Sequence, residues 1–65
     1  MRLQVKDSGA WRNVVSFDPR RRAEVEAAGA ALLQAGGYDK TTMRISDGDQ
    51  VQAYCEPPAC QWRPA

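Results

Sequence analysis

Two short stretches, Asp7-Ser8-Gly9 and Ser46-Asp47-Gly48, each divide a run of alternating residues in two. Alternation of period two marks strands with one buried face. Two polar residues followed by glycine fit a three-residue hairpin loop with the glycine in the left-handed region. In the first run, RLQVKDSGAWRNVVSF, this loop pairs Lys6 with Ala10 and sets Val5 against Trp11, Leu3 against Asn13 and Met1 against Val15. One face then collects Met1, Leu3, Val5, Trp11, Val15 and Phe17. The other collects Arg2, Gln4, Lys6, Ala10, Arg12, Val14 and Ser16. A two-residue loop would mix the two sets, because a slip of one residue exchanges the faces of a strand.

The second run, YDKTTMRISDGDQVQAYC, repeats the device. Its inward set is Thr41, Met43, Ile45, Val51, Ala53 and Cys55. Its outward set is Lys40, Thr42, Arg44, Ser46, Gln50, Gln52 and Tyr54. A loop of Asp47-Gly48-Asp49 changes the pairing partners but not the faces.

A helical segment lies between the two runs. Asp18 fits an N-cap and Pro19 the first helical position, while Gly36-Gly37 ends the helix. Val25, Ala28, Gly29, Leu32 and Gly36 form an inward stripe at helical spacing, with Leu33 at its edge. A glycine costs about 0.5–1 kcal/mol against alanine in a helix interior. Gly29 on the buried stripe therefore implies close packing, with Trp11 as the expected neighbour. The expected fold is an α+β, two-layer ββαββ domain. One helix packs on one face of a four-stranded, mainly antiparallel sheet. Strands are expected at 2–7, 10–17, 39–46 and 49–55, with the helix at 19–35. Residues 1–56 form the single domain, and 57–65 a proline-containing tail anchored by Trp62. The arrangement resembles that of many short bacterial proteins with a ββαββ pattern, and the weight of Ala, Arg, Gly and Pro suits a GC-rich bacterial genome.

Size limits what such a chain does. Its 65 residues bury a small core, so stability is expected to be marginal. No leader-like apolar segment follows Met1-Arg2, and no run approaches the length of a membrane span. A cytoplasmic protein with no membrane partner is the expectation. The chain has no histidine, so the commonest general base is missing, and its serines have no paired base in view. Asp47 and Asp49 resemble the start of a calcium loop, but Ala53 and Pro58 stand where further ligands are needed. Cys55 and Cys60 cannot make a structural zinc site without two more ligands. Cys55 continues the inward face of its strand as a small buried hydrophobe, and Cys60 belongs to the tail. No enzyme activity, metal or cofactor is expected.

Charge placement says more than the net charge of +1. The outward face carries Arg2, Lys6, Arg12, Lys40 and Arg44, together with Tyr54, and none of the acidic residues. Such a face suits an anionic partner, nucleic acid included, with Tyr54 as a stacking ring. The plain alternative is a solvated sheet whose charges deter edge pairing. Arg20, Arg21 and Arg22 are a second anion candidate at the helix start, although Asp18, Glu24 and Glu26 lie near enough to neutralise them. The alternative function is protein–protein contact or a homodimer, with Leu33 and Trp62 as candidate interaction residues beside Val14 and Tyr54.

Overall fold

The computed structural model describes residues 1–36, 41–57 and 61–65. Lys40 and Cys60 lie outside the described residues, as does the expected start of the third strand. The elements are β1 (Arg2–Asp7), β2 (Ala10–Ser16), a single 3₁₀ turn (Pro19–Arg21), α1 (Arg22–Gly36), β3 (Met43–Asp47), β4 (Gln50–Glu56) and β5 (Gln61–Pro64). The fold is α+β, as expected, but the sheet has five strands instead of four. Its order is β2-β1-β3-β4-β5, and every neighbouring pair is antiparallel. Pairing of β1 with β3 joins the two hairpins at the centre of the sheet.

The fifth strand corrects the expected tail. Tyr54 pairs with Arg63 and Cys55 with Trp62, so residues after the Pro57-Pro58 stop return to the sheet. The strand is short and ends in Pro64, which has no N–H to offer a further strand; this suits an edge. Its alternation places Trp62 on the helix side and Arg63 on the opposite face.

Both hairpins turn through two residues, not three. Asp7 pairs with Ala10 across Ser8-Gly9, and both turn residues have positive φ, 53° and 82°. That is the pattern of a type I′ turn, whose twist matches the flanking strands. In the second hairpin Asp47 pairs with Gln50, and Gly48 takes φ 62° at the first turn position, as in a type II′ turn. The odd residue expected in each loop sits within a strand, as a bulge. Between Leu3–Val15 and Gln4–Asn13 the extra residue is Val14, and between Ile45–Ala53 and Ser46–Val51 it is Gln52. Beyond each bulge the faces are those expected; between bulge and turn they are exchanged. Trp11 and Asn13 therefore lie on the outer face, and Arg12 lies on the helix side opposite Val5. Val51, opposite Ser46, likewise turns outward.

The core lies between α1 and the inner face. Leu3, Leu33, Met43, Ile45 and Cys55 are buried, with Met1, Val5, Phe17, Val25, Ala30 and Trp62 packed against them. The helix is rotated from the expected stripe. Val25, Gly29 and Leu33 face the sheet, whereas Leu32 is 58% exposed. Gly29 is a point of close approach, but the neighbour is Trp62, not Trp11. A Cβ on Gly29 would lie 3.2 Å from Trp62 Cζ2 and 3.4 Å from Met43 Sδ. The indole Nε1 of Trp62 also donates to the backbone oxygen of Glu26 at 2.6 Å. One side chain thus ties the last strand to the helix by packing and by a hydrogen bond.

Asp18 caps the 3₁₀ turn that leads into α1, so the α-helix begins at Arg22 and not at Pro19 as expected. Asp18 Oδ1 accepts from the backbone N–H of Arg20 at 2.9 Å, and its other oxygen accepts from the Arg20 guanidinium at 2.9 Å. These bonds, the side-chain one foremost, lower the Asp18 carboxyl below its ordinary pKa. A lowered carboxyl stabilises the fold fully above its unfolded pKa and loses that effect as pH falls through the folded value.

Two predictions follow from these contacts. Gly29→Val should lower stability in urea denaturation by about 1–3 kcal/mol through overpacking against Trp62; an unchanged midpoint would contradict the close approach. Asp18→Ala should lower the thermal midpoint at neutral pH, and the gap to the parent chain should close in acid as the parent's carboxyl protonates. A gap independent of pH would mean that the carboxylate charge has no part in the cap.

Candidate functional site

The helix covers one face of the sheet, and the outer face has its own layer of side chains. Alternation along β1 sends Arg2, Gln4 and Lys6 outward, because Leu3 and Val5 face the helix. Cross-strand pairing places Arg44 beside Gln4, Ser46 beside Arg2, Trp11 beside Lys6, and Tyr54 beside Arg44. Directly opposed residues of an antiparallel pair share a face.

Gln4 organises the centre of this face. It is only 8% exposed, and its neighbour Ser46 only 3%. Its amide nitrogen donates to Asn13 Oδ1 at 2.8 Å. Its amide oxygen accepts from Arg44 Nε at 2.7 Å and from the Ser46 hydroxyl at 3.4 Å. Among the described residues no buried side-chain nitrogen or oxygen lacks a partner. Burying an amide this way is tolerable because its hydrogen-bonding groups are engaged.

Over this network lies an aromatic and cationic cluster. The Arg44 guanidinium carbon is 4.2 Å from the centroid of the Trp11 ring. Such contact between a cation and the indole face is attractive. The Trp11 and Tyr54 rings are 6.4 Å apart and tilted by 50°, within the range of favourable aromatic pairs. Arg44 is therefore fixed at Nε by Gln4 and across its plane by Trp11. Its terminal nitrogens make no hydrogen bond among the described residues.

Ion pairing separates the cations into two groups. Arg12 pairs with Asp7, Arg20 with Asp18, Arg21 with Glu24, Arg22 with Glu26 and Arg63 with Glu56. Arg2, Lys6 and Arg44 have no carboxylate partner among the described residues, and all three are on the outer face.

The outer face gathers Arg2, Lys6, Arg44 and Tyr54 from the expected set. Arg12 leaves that set because the Val14 bulge turns it to the other side, where it meets Asp7 at 3.5 Å. Glu56 extends β4 one residue beyond the expected strand end and is neutralised by Arg63 at 2.7 Å. Arg20, Arg21 and Arg22 are each bound to an acid, although the Arg20 partner is Asp18 rather than Glu24. Leu33 is 5% exposed, and Trp62 is partly buried against the core. Among the described residues, the exposed large apolar ones are Val14, Val15 and Leu32.

Trp11 is the member of the site that alternation alone misassigns. A signal for it does exist in the sequence. Arg12 would otherwise share a face with Lys6, and a two-residue Ser8-Gly9 turn relieves that crowding by pairing Lys6 with Trp11.

Among the described residues no helix is long and apolar enough to cross a membrane, and no three His, Cys, Asp or Glu side chains gather as metal ligands. Gln4→Leu should strand Asn13, Ser46 and the Arg44 Nε, lowering stability by about 1–3 kcal/mol. An Arg44 Nε resonance that keeps its shift in that variant would rule out the network. Comparison with protein-family models, curated proteins and solved structures finds no match for this chain.

Proposed function

We propose that this protein is a small binding domain without catalytic activity, and that its outer sheet face holds an anionic partner. One observation carries the proposal: every described Arg or Lys side chain outside this face has a carboxylate partner, and Arg2, Lys6 and Arg44 have none. Acidic residues within reach would neutralise such a group at little cost. Here the neighbours are Gln4, Asn13, Ser46, Trp11 and Tyr54, which orient the cations and leave their charge intact.

The geometry favours an extended polyanion over a single small ion. Arg2 and Lys6 are four residues apart on β1, a span of about 14 Å at the rise of an antiparallel strand. Arg44 lies between them on the next strand, opposite Gln4. Three positive groups along a line suit successive charges of a chain. Four of the five neutralised pairs lie on the helix side, and the fifth, Arg63 with Glu56, sits at the β5 edge of the outer face.

A second reading is contact with another protein or with a second copy. It draws support from Val14, Val15 and Leu32, which are 47%, 48% and 58% exposed. Val15 and Leu32 belong to the helix side, so this contact would leave the cationic face open.

The test is isothermal titration with inorganic polyphosphate. Three charge contacts give a log–log salt slope of about −2, roughly a 20-fold loss of affinity between 50 and 200 mM salt. Lys6→Glu should weaken binding strongly, and Arg21→Glu, at the helix start, should leave it unchanged. No binding at low salt, or equal effects of the two substitutions, excludes the face.

A further inference from the structure

Resting on the anion-binding role of the outer face, we infer that its partner is a single-stranded nucleic acid whose bases stack on Trp11, Arg44 and Tyr54. A face that only collected anionic charge would need no rings. This one places two of them among its unneutralised cations. They come from β2 and β4 and converge across the intervening strands to 6.4 Å. Together with Arg44 they form a surface on the uncovered side of the sheet, which the helix does not reach.

Arg44 links the two kinds of contact. Its guanidinium lies on the Trp11 ring at 4.2 Å, and Gln4 holds its Nε at 2.7 Å. A guanidinium held in this way is a cationic group on which a base can stack. Unpaired bases are bound on aromatic rings and on guanidinium planes alike. The edge of the same group carries terminal nitrogens with no described hydrogen bond, suited to a phosphate. Restraint by Gln4 and Trp11 means that little side-chain entropy is lost on binding. Arg2 and Lys6 extend the charge to either side along β1, so a backbone can follow that strand while bases turn toward the ring cluster.

A duplex is the poorer fit. Its bases are already stacked on one another, so their faces cannot reach Trp11, Arg44 or Tyr54. An acidic peptide satisfies the cations but makes no use of the ring faces. The chemistry of this face thus favours exposed bases joined by a phosphate chain.

The test compares thymidine oligonucleotides, polyphosphate of equal charge, a duplex of equal length and a polyglutamate peptide. Expected is a single-strand affinity about 5- to 150-fold above that of polyphosphate, the range that stacking of one base provides. The oligonucleotide should quench Trp11 fluorescence, and polyphosphate should not. Trp11→Leu serves as the signal control, since Trp62 is packed beneath the helix. Tyr54→Leu and Trp11→Leu should each erase much of the single-strand preference while keeping the polyphosphate affinity, with circular dichroism verifying the fold. If Trp11→Leu fails to fold, Tyr54→Leu and the quenching difference in the parent chain still decide the matter. Equal binding of oligonucleotide and polyphosphate overturns the stacking inference and leaves the anion-binding role standing. Preference for the duplex or for polyglutamate overturns it in favour of that partner. Binding of none of the four overturns both.

Discussion

The approach of Trp62 to Gly29 holds the two layers in register. A side chain on Gly29 would meet the indole at 3.2 Å, so the helix can seat itself where it does only because that Cβ is missing. The same indole donates to the Glu26 carbonyl. The last strand therefore does more than extend the sheet: it supplies the largest side chain of the inner layer and fixes the rotation of α1. With Val25, Gly29 and Leu33 turned inward, Leu32 is left in solvent. In a domain with so few buried residues, one such contact is a substantial part of the core.

Because a single helix covers a single face, the opposite face has to be finished by side chains of the sheet itself. Gln4 and Ser46 are buried there, although no helix lies above them. Trp11, Arg44 and Tyr54 form the cover, and the Gln4 amide satisfies the groups beneath. The arrangement serves stability and leaves a chemical surface. Arg44, which an acid could have neutralised, is instead held by a ring and an amide and retains its charge. Arg63 at the edge differs, since Glu56 stands beside it.

Much of this was legible in the chain. Alternation along β1 correctly assigned Arg2, Gln4 and Lys6 to one face and Leu3 and Val5 to the other. Met43, Ile45, Ala53 and Cys55 were likewise placed against the helix. Asp18 marked the helix entry, and Gly29 marked a close approach. The errors cluster between each turn and its bulge. Trp11, Asn13, Arg12 and Val51 all lie there, and all change sides. The chain needed an odd number of residues between its facing apolar sets, and both hairpins meet that need. They do so with an even turn plus a bulged residue at Val14 or Gln52. The count of residues is the same in both arrangements, so period alone cannot separate them.

What is local or periodic could be read from the chain: strand alternation, the turn glycines, the helix cap, and the outward placement of Arg2 and Lys6 in one hairpin and of Arg44 and Tyr54 in the other. These depend on neighbours a few residues apart, whose preferences act in any context. The tertiary structure decided which tryptophan serves the core and which serves the outer face. It also decided which cations keep their charge, and that Gln61–Pro64 becomes a strand. Those outcomes depend on pairings across the sheet, such as Cys55 with Trp62 and Gln4 with Arg44. A bulge or an added edge strand gains its stability only when the ladder beside it exists, so its position is a property of the assembled sheet and not of the segment that carries it.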